Sequence, residues 1–162
     1  MSRRQLLTVA LLSMSSAAGA ETNGLPDYKP IGHTAEPVIG GTAVPPGKWP
    51  DAVAVLGAQG SCTGTLIAPD VVLTAGHCAD ANPTRVIANT TNFNAAGGTT
   101  AMVQSITAYP GWENSYDVAV IVLQTPITGI APRKVGTACT FQDFTMNTPV
   151  HLVGFGSTDI QG

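Results

Sequence analysis

Six short runs of small and β-branched apolar residues, each followed within three residues by Gly, Pro or Asn, fill the stretch between residues 52 and 123. They are Ala52 to Leu56, Ser61 to Ile67, Val71 to Thr74, Thr84 to Ala88, Ala101 to Ala108 and Val118 to Leu123. The runs are short, rich in Val, Ile and Thr, and lack a 3.6-residue period, so they predict strands rather than helices. Ala68-Pro69-Asp70 between the second and third runs is a hairpin signal, and Ala43-Val44-Pro45-Pro46-Gly47 is a turn cluster. Val118 to Leu123 is apolar at every position, which predicts an interior strand covered on both faces. Gln124 to Thr148, with Pro126, Gly129, Pro132 and Gly136, is irregular, and Val150 to Val153 begins one further strand. No amphipathic helix, internal repeat or low-complexity tract is present. The fold class expected is all-β, a barrel or a sandwich.

Composition narrows the function classes. The 162 residues are 44% apolar and 10% charged, with 18 Gly and 12 Pro. A disordered polymer would carry fewer apolar residues and more charge. A coiled coil or helical bundle would carry far less Gly and Pro. The 7 Lys and Arg are scattered and the net charge is −3, which offers no basic face to nucleic acid. The length suits one ordinary domain.

The N-terminus has the form of an export signal. Arg3 and Arg4 form a positive region, Leu6 to Ala17 a short apolar region, and Ala18-Gly19-Ala20 a small-x-small cleavage site with Ala18 and Ala20 as its small residues. Ser2 to Leu7 also resembles a twin-arginine signal. The expected organisation is a signal peptide at 1–20, a polar pro-segment or linker at 21–37, and one domain at 38–162. The apolar run is too short for a stable membrane anchor, so the predicted location is secreted, extracellular or periplasmic. An oxidising compartment allows cysteines to be disulfides. There are three, Cys62, Cys78 and Cys139, so at least one lacks a partner within the chain.

Leu73-Thr74-Ala75-Gly76-His77-Cys78 is the most specific string in the chain, and Tyr116-Asp117-Val118-Ala119-Val120-Ile121-Val122-Leu123 follows it by about 40 residues. Val38-Ile39-Gly40-Gly41, Ser61 to Ile67, Tyr109-Pro110-Gly111-Trp112 and Val153-Gly154-Phe155-Gly156-Ser157-Thr158 stand around them in a consistent order. Together they resemble the trypsin/chymotrypsin-like serine proteases from residue 38 to the end of the chain. The resemblance implies two antiparallel β-barrels, the first complete here and the second truncated. It implies a zymogen whose activated N-terminus is Val38-Ile39-Gly40-Gly41, a Cys62–Cys78 disulfide, His77 as general base and acid, and Asp117 as the residue that orients His77. It implies peptide-bond hydrolysis on a protein or peptide substrate, with no cofactor, and an activating protease or an inhibitor as further partners.

The chemistry of these residue types is independent of the name. A serine hydroxyl is a poor nucleophile at neutral pH. An imidazole, with an unperturbed pKa of about 6.5, can take its proton and return it to a leaving amine. A carboxylate on the other ring nitrogen fixes the tautomer and stabilises the imidazolium. The order His before Asp, with Ser last, fits the chymotrypsin arrangement and neither the subtilisin nor the α/β-hydrolase order. A Cys62–Cys78 bond would also pin the histidine turn to the neighbouring strand.

The chain departs from the family pattern in two places. The Gly-Asp-Ser-Gly-Gly string that carries the family's nucleophile is absent from these 162 residues, which implies a fragment lacking the serine, the oxyanion hole and the specificity pocket. Pro37 precedes Val38, whereas trypsin-like activators cut after Lys or Arg. Other residues carry no such signal: His33 and His151 read as ordinary structural or exposed histidines, Asn89-Thr90-Thr91 is a chance-level glycosylation sequon, and Cys78 beside His77 lacks a second ligand pair at zinc spacing, so no metal is expected. The competing function is a catalytically silent secreted β-module, a pseudoprotease, that binds a protein partner.

Overall fold

The computed structural model of the protein describes residues 40–142 and 144–156. The expected signal cleavage at Ala18 and Ala20, the segment 21–37, His33, and Val38 and Ile39 lie outside the described residues. Six strands form: β1 (Ala52–Gly57), β2 (Gly60–Ala68), β3 (Val71–Thr74), β4 (Pro83–Ala88), β5 (Thr99–Ala108) and β6 (Ala119–Leu123). All six fall where the sequence pattern predicts them, with ends shifted by at most two residues. They pair antiparallel into a closed barrel in the order β1-β2-β3-β6-β5-β4.

Four pairings between consecutive strands and two distant ones make that order. Gly57 and Gly60 pair across the β1–β2 hairpin, and the turn at Pro69-Asp70 joins β2 to β3. The distant pairings close the wall: Val55 of β1 opposes Val86 of β4, and Thr74 of β3 opposes Ala119 of β6. Closure removes the unpaired edges that would otherwise bind other strands. Val53, Val55, Leu66, Val72, Val86, Ile121 and Leu123 fill the interior, and Ile127 plugs one side of it. Complete burial of each such Val, Leu or Ile contributes roughly 1.5–3 kcal/mol.

Two expectations are corrected. β6 is not covered on both faces: Val120 is 37% exposed, because one side of a barrel strand turns outward and nothing described covers it. The strand buried on both faces is β1 instead, with Val53 and Val55 inside and Ala54 and Leu56 outside beneath Phe93 and Phe155. The second correction is Val150 to Val153, which is not a strand. Val150 and Leu152 stay 81% and 80% exposed, and no strand among the described residues pairs with them. The irregular stretch 124–148 is as expected apart from one four-residue helical turn, α1 (Ala138–Phe141), capped reciprocally by Thr137 and Thr140. Cys139 within it is free and exposed.

The connection leaving the barrel is tied back to it. The Ile127 N–H donates to the Pro69 carbonyl at 2.7 Å and the Arg133 N–H to the Leu66 carbonyl at 2.8 Å. The Arg133 guanidinium forks onto the buried Asp51 carboxylate, Nε to Oδ2 at 2.8 Å and Nη2 to Oδ1 at 2.7 Å. The same guanidinium lies 5.2 Å from the centre of the Trp49 ring, and the ring of His151, an exposed histidine, lies tilted against it with centroids 6.0 Å apart. The Arg133 hydrogen bonds hold the Asp51 carboxyl below its usual value, against the opposing effect of burial. A depressed carboxylate contributes stability that is present above its unfolded pKa and lost as pH falls through its folded pKa.

Arg133→Ala leaves that carboxylate buried and unpaired. Because Arg133 is itself half exposed, the expected cost at pH 7 is roughly 2 kcal/mol, less than for a fully buried pair. Urea unfolding should show the difference from wild type shrinking in acid and vanishing as pH falls through the depressed folded pKa of Asp51.

Candidate active site

β3 and β6 run side by side, and their register delivers two short turns to the same rim of the barrel. Past Thr74 the chain makes one 3₁₀ turn, Gly76–Ala79, carrying His77. Before Ala119 it passes through a second, Trp112–Asn114, and then Asp117. Gly111, with φ at +68°, opens that second turn in the left-handed region where glycine is favoured.

The start of a helical turn leaves N–H groups without intrahelical acceptors. Here the residue in the capping position is Ala75, which has no side-chain oxygen. Asp117 takes that role from 40 residues away: its Oδ1 accepts the His77 backbone N–H at 2.8 Å. Its Oδ2 lies 2.8 Å from His77 Nδ1. One carboxylate therefore holds both the backbone and the ring of His77. Burial pulls the Asp117 pKa upward, but hydrogen bonds from the His77 ring, the His77 N–H and the Gly76 N–H outweigh it and leave it below 3.8. Asp117 is thus ionised at neutral pH, so Nδ1 carries the hydrogen of the neutral ring and Nε2 presents a lone pair.

The surroundings fix this geometry. Cys62 in β2 and Cys78 next to His77 form a disulfide across a separation of 16 residues, with Cα atoms 6.1 Å apart. It ties the histidine turn to β2, and in the chain-entropy account such a loop contributes about 3 kcal/mol. Trp112 packs its ring 6.3 Å from the imidazole. Gly76 is pinched between these groups: a Cβ there would stand 2.7 Å from Trp112 Cβ and 3.0 Å from Asp117 Oδ1. The Asp117 side chain keeps 34% of its surface in solvent and His77 keeps 56%, so the pair is open on one side.

A cavity of about 260 Å³ borders His77 and is walled by the disulfide, Thr63, Ala75 and Phe155. A larger one of about 620 Å³ lies between residues 41–52, 89–94 and 153–156, and no titratable side chain among the described residues lines it. The candidate site is therefore the smaller cavity, the one that an imidazole borders. The structure brings His77, Asp117, Cys62 and Cys78 together. Gly40 and Gly41 are exposed, and Gly41 lines the larger cavity. Sequence reasoning missed the Asp51–Arg133 fork, which has no local signal at a separation of 82 residues; the small residue at Gly76 it read as room for a carboxylate, and Asp117 Oδ1 stands there, 3.0 Å from where a Cβ would be.

Comparison with known proteins decides the family. The family model described as Trypsin matches residues 38–162. The chain belongs to the trypsin family. Among its trypsin-family relatives, chymotrypsin-like elastase family member 1 of Bos taurus is 34% identical, over 77% of this chain and 52% of that protein. Human serine protease 56 is 32% identical, over 74% of this chain and 21% of its own length. A solved Glu endopeptidase in complex with MPD aligns with a TM-score of 0.46 at 30% identity, covering 55% of this chain and 49% of that one. The chain spans about half the length of the elastases it matches. In trypsin-family terms the closed barrel is the first of two, and among the described residues the second is represented by its opening segment alone.

Gly76→Ala should force Trp112 and Asp117 apart from the histidine turn, at a cost of about 1–3 kcal/mol. Proton NMR at low temperature checks it: the downfield Nδ1–H signal of a histidine bonded to a carboxylate is expected in wild type and lost in the variant.

Proposed function

We propose that the protein is a secreted serine endopeptidase of the trypsin type, and that these 162 residues carry its base and its orienting carboxylate but not its nucleophile. The observation that carries this reading is the double grip of Asp117 on His77, at 2.8 Å to the backbone N–H and 2.8 Å to Nδ1. In this reading His77 Nε2 takes the proton of a serine hydroxyl as its oxygen attacks the scissile carbonyl. His77 then gives that proton to the leaving amine, and water repeats the sequence on the acyl-enzyme. Asp117 keeps the ring in the productive tautomer and stabilises the imidazolium. The serine comes from outside the chain described here. Two observations support a fragment: the chain matches only about half the length of its elastase relatives, and Val135, Met146, Val150 and Leu152 are between 58% and 93% exposed, as apolar side chains are when their covering partner is absent. The substrate class proposed is protein or peptide, without a cofactor. Export, a pro-segment ending at Pro37 and activation at Val38-Ile39-Gly40-Gly41 belong to the same proposal, which the Cys62–Cys78 disulfide supports through its need for an oxidising compartment.

An organophosphonate serine probe tests the proposal. The 162-residue chain should remain unlabelled. The product of the longer coding sequence, carrying a Gly-Asp-Ser-Gly-Gly segment, should label stoichiometrically, and His77→Ala should abolish labelling. Asp117→Asn should lower kcat by about four orders of magnitude, the loss expected when the imidazole takes the wrong tautomer. A coding region that ends at Gly162 would sink the protease reading and leave the silent module in its place.

A further inference from the structure

Thr63 sits in β2 beside the disulfide-bonded Cys62, and two tertiary hydrogen bonds converge on it. Its carbonyl accepts the Thr74 hydroxyl at 2.9 Å, three residues before His77. Its side-chain Oγ1 accepts the Phe155 backbone N–H at 2.9 Å, 92 residues away. The neighbouring Gly154 lies against it so closely that a Cβ there would stand 3.0 Å from Oγ1 and 3.6 Å from Thr63 Cβ. Phe155 in turn meets Phe93 edge-on at 6.0 Å and covers the outer face of β1 and β4 at Ala54, Leu56 and Ile87.

Phe155 and Gly156 belong to the walls of both cavities, the one bordering His77 and the larger one beside it. The segment 153–156 is thus the partition between them. It has no strand pairing to hold it, and its neighbours Val150 and Leu152 are bare. The Phe155 amide is the point at which a polar contact fastens this partition to the barrel, and Thr63 supplies the acceptor. A residue bound on one side to the approach of the histidine turn and on the other to the wall facing it sets the distance between the two. Apolar packing of Phe155 alone is non-directional and would allow the segment to slide; a hydrogen bond with a fixed acceptor would not.

We infer that Thr63 is a positioning residue of the His77–Asp117 centre, whose hydroxyl oxygen holds the 153–156 segment as the wall of the cavity beside the imidazole. The inference rests on the reading of His77 as general base, and it deepens that reading by naming what positions the far wall of the site. Thr63 acts through Phe155 and the Thr74 turn and takes no part in bond making.

Two measurements test it, and they separate the tether from the protease reading. In the 162-residue chain, amide hydrogen exchange at Phe155 should be slow in wild type and in Thr63→Ser, which keeps the acceptor. It should be about five- to tenfold faster in Thr63→Val, which keeps the shape and removes the acceptor; that is the order expected from one neutral hydrogen bond. Gly154→Ala, which crowds the same contact from the other side, should also speed exchange and serves if Thr63→Val folds poorly. In the longer protein that carries the nucleophile, Thr63→Val should lower kcat/KM at least fivefold and Thr63→Ser should restore it to within about twofold. Unchanged Phe155 exchange in both Thr63→Val and Gly154→Ala would overturn the tether. Faster exchange with unchanged kcat/KM would overturn the positioning role and leave the protease reading intact. A longer wild-type protein without any peptidase activity would overturn both, whatever the exchange shows.

Discussion

The rung between Thr74 and Ala119, where β3 and β6 pair, determines everything that happens at the rim. It aligns the ends of two strands that are far apart in sequence, so the residues that follow the first and precede the second emerge at the same height. His77 and Asp117 need no long loops to meet; three residues beyond one strand and two before the other suffice. The rung itself depends on barrel closure, because β6 is held on its other side by β5, and β5 by β4, which returns to β1. Slipping this register by one residue would exchange the inward and outward faces of β6 and expose Ile121 and Leu123. The same burial that makes the barrel stable therefore fixes the distance between an imidazole and a carboxylate.

At the rim, one side chain satisfies two demands. The 3₁₀ turn carrying His77 begins at an alanine and cannot cap itself. Asp117 supplies the missing acceptor and, with its second oxygen, engages the ring. The same carboxylate caps the turn and holds the ring, and those hydrogen bonds are why its pKa falls despite partial burial. The Cys62–Cys78 bond and the narrow slot at Gly76 leave the turn little freedom to drift away from that carboxylate. Farther out, Asp51 and Arg133 do for the connecting segment what Asp117 does for the turn: a charged fork anchors a stretch that has no regular hydrogen bonding of its own.

Much of this is legible in the sequence. Six strands could be read from apolar runs and their turn residues, because backbone preference and burial act locally and agree in each of them. His77, Asp117 and the two cysteines could be picked out because they stand in strings that resemble the motifs of the trypsin family. Val150 to Val153 misled because its residues favour a strand, and a strand needs a neighbour to pair with, which composition does not provide. Val118 to Leu123 misled for a related reason: apolar residues on both faces do not ensure that both faces are covered. Thr63 is a plain strand threonine in the sequence, and only its meeting with Phe155 gives its hydroxyl a role.

The amino-acid order alone determined the period-two segments, the turns that separate them, and the residue types able to move a proton. Those properties follow from each residue and its near neighbours. The closure of β1 on β4, the Asp51–Arg133 fork, the pinch at Gly76 and the double hold of Asp117 on His77 were decided only by the tertiary structure. Each joins groups separated by tens of residues, and at such separations the folded packing, and no local preference, sets which groups come within hydrogen-bonding distance.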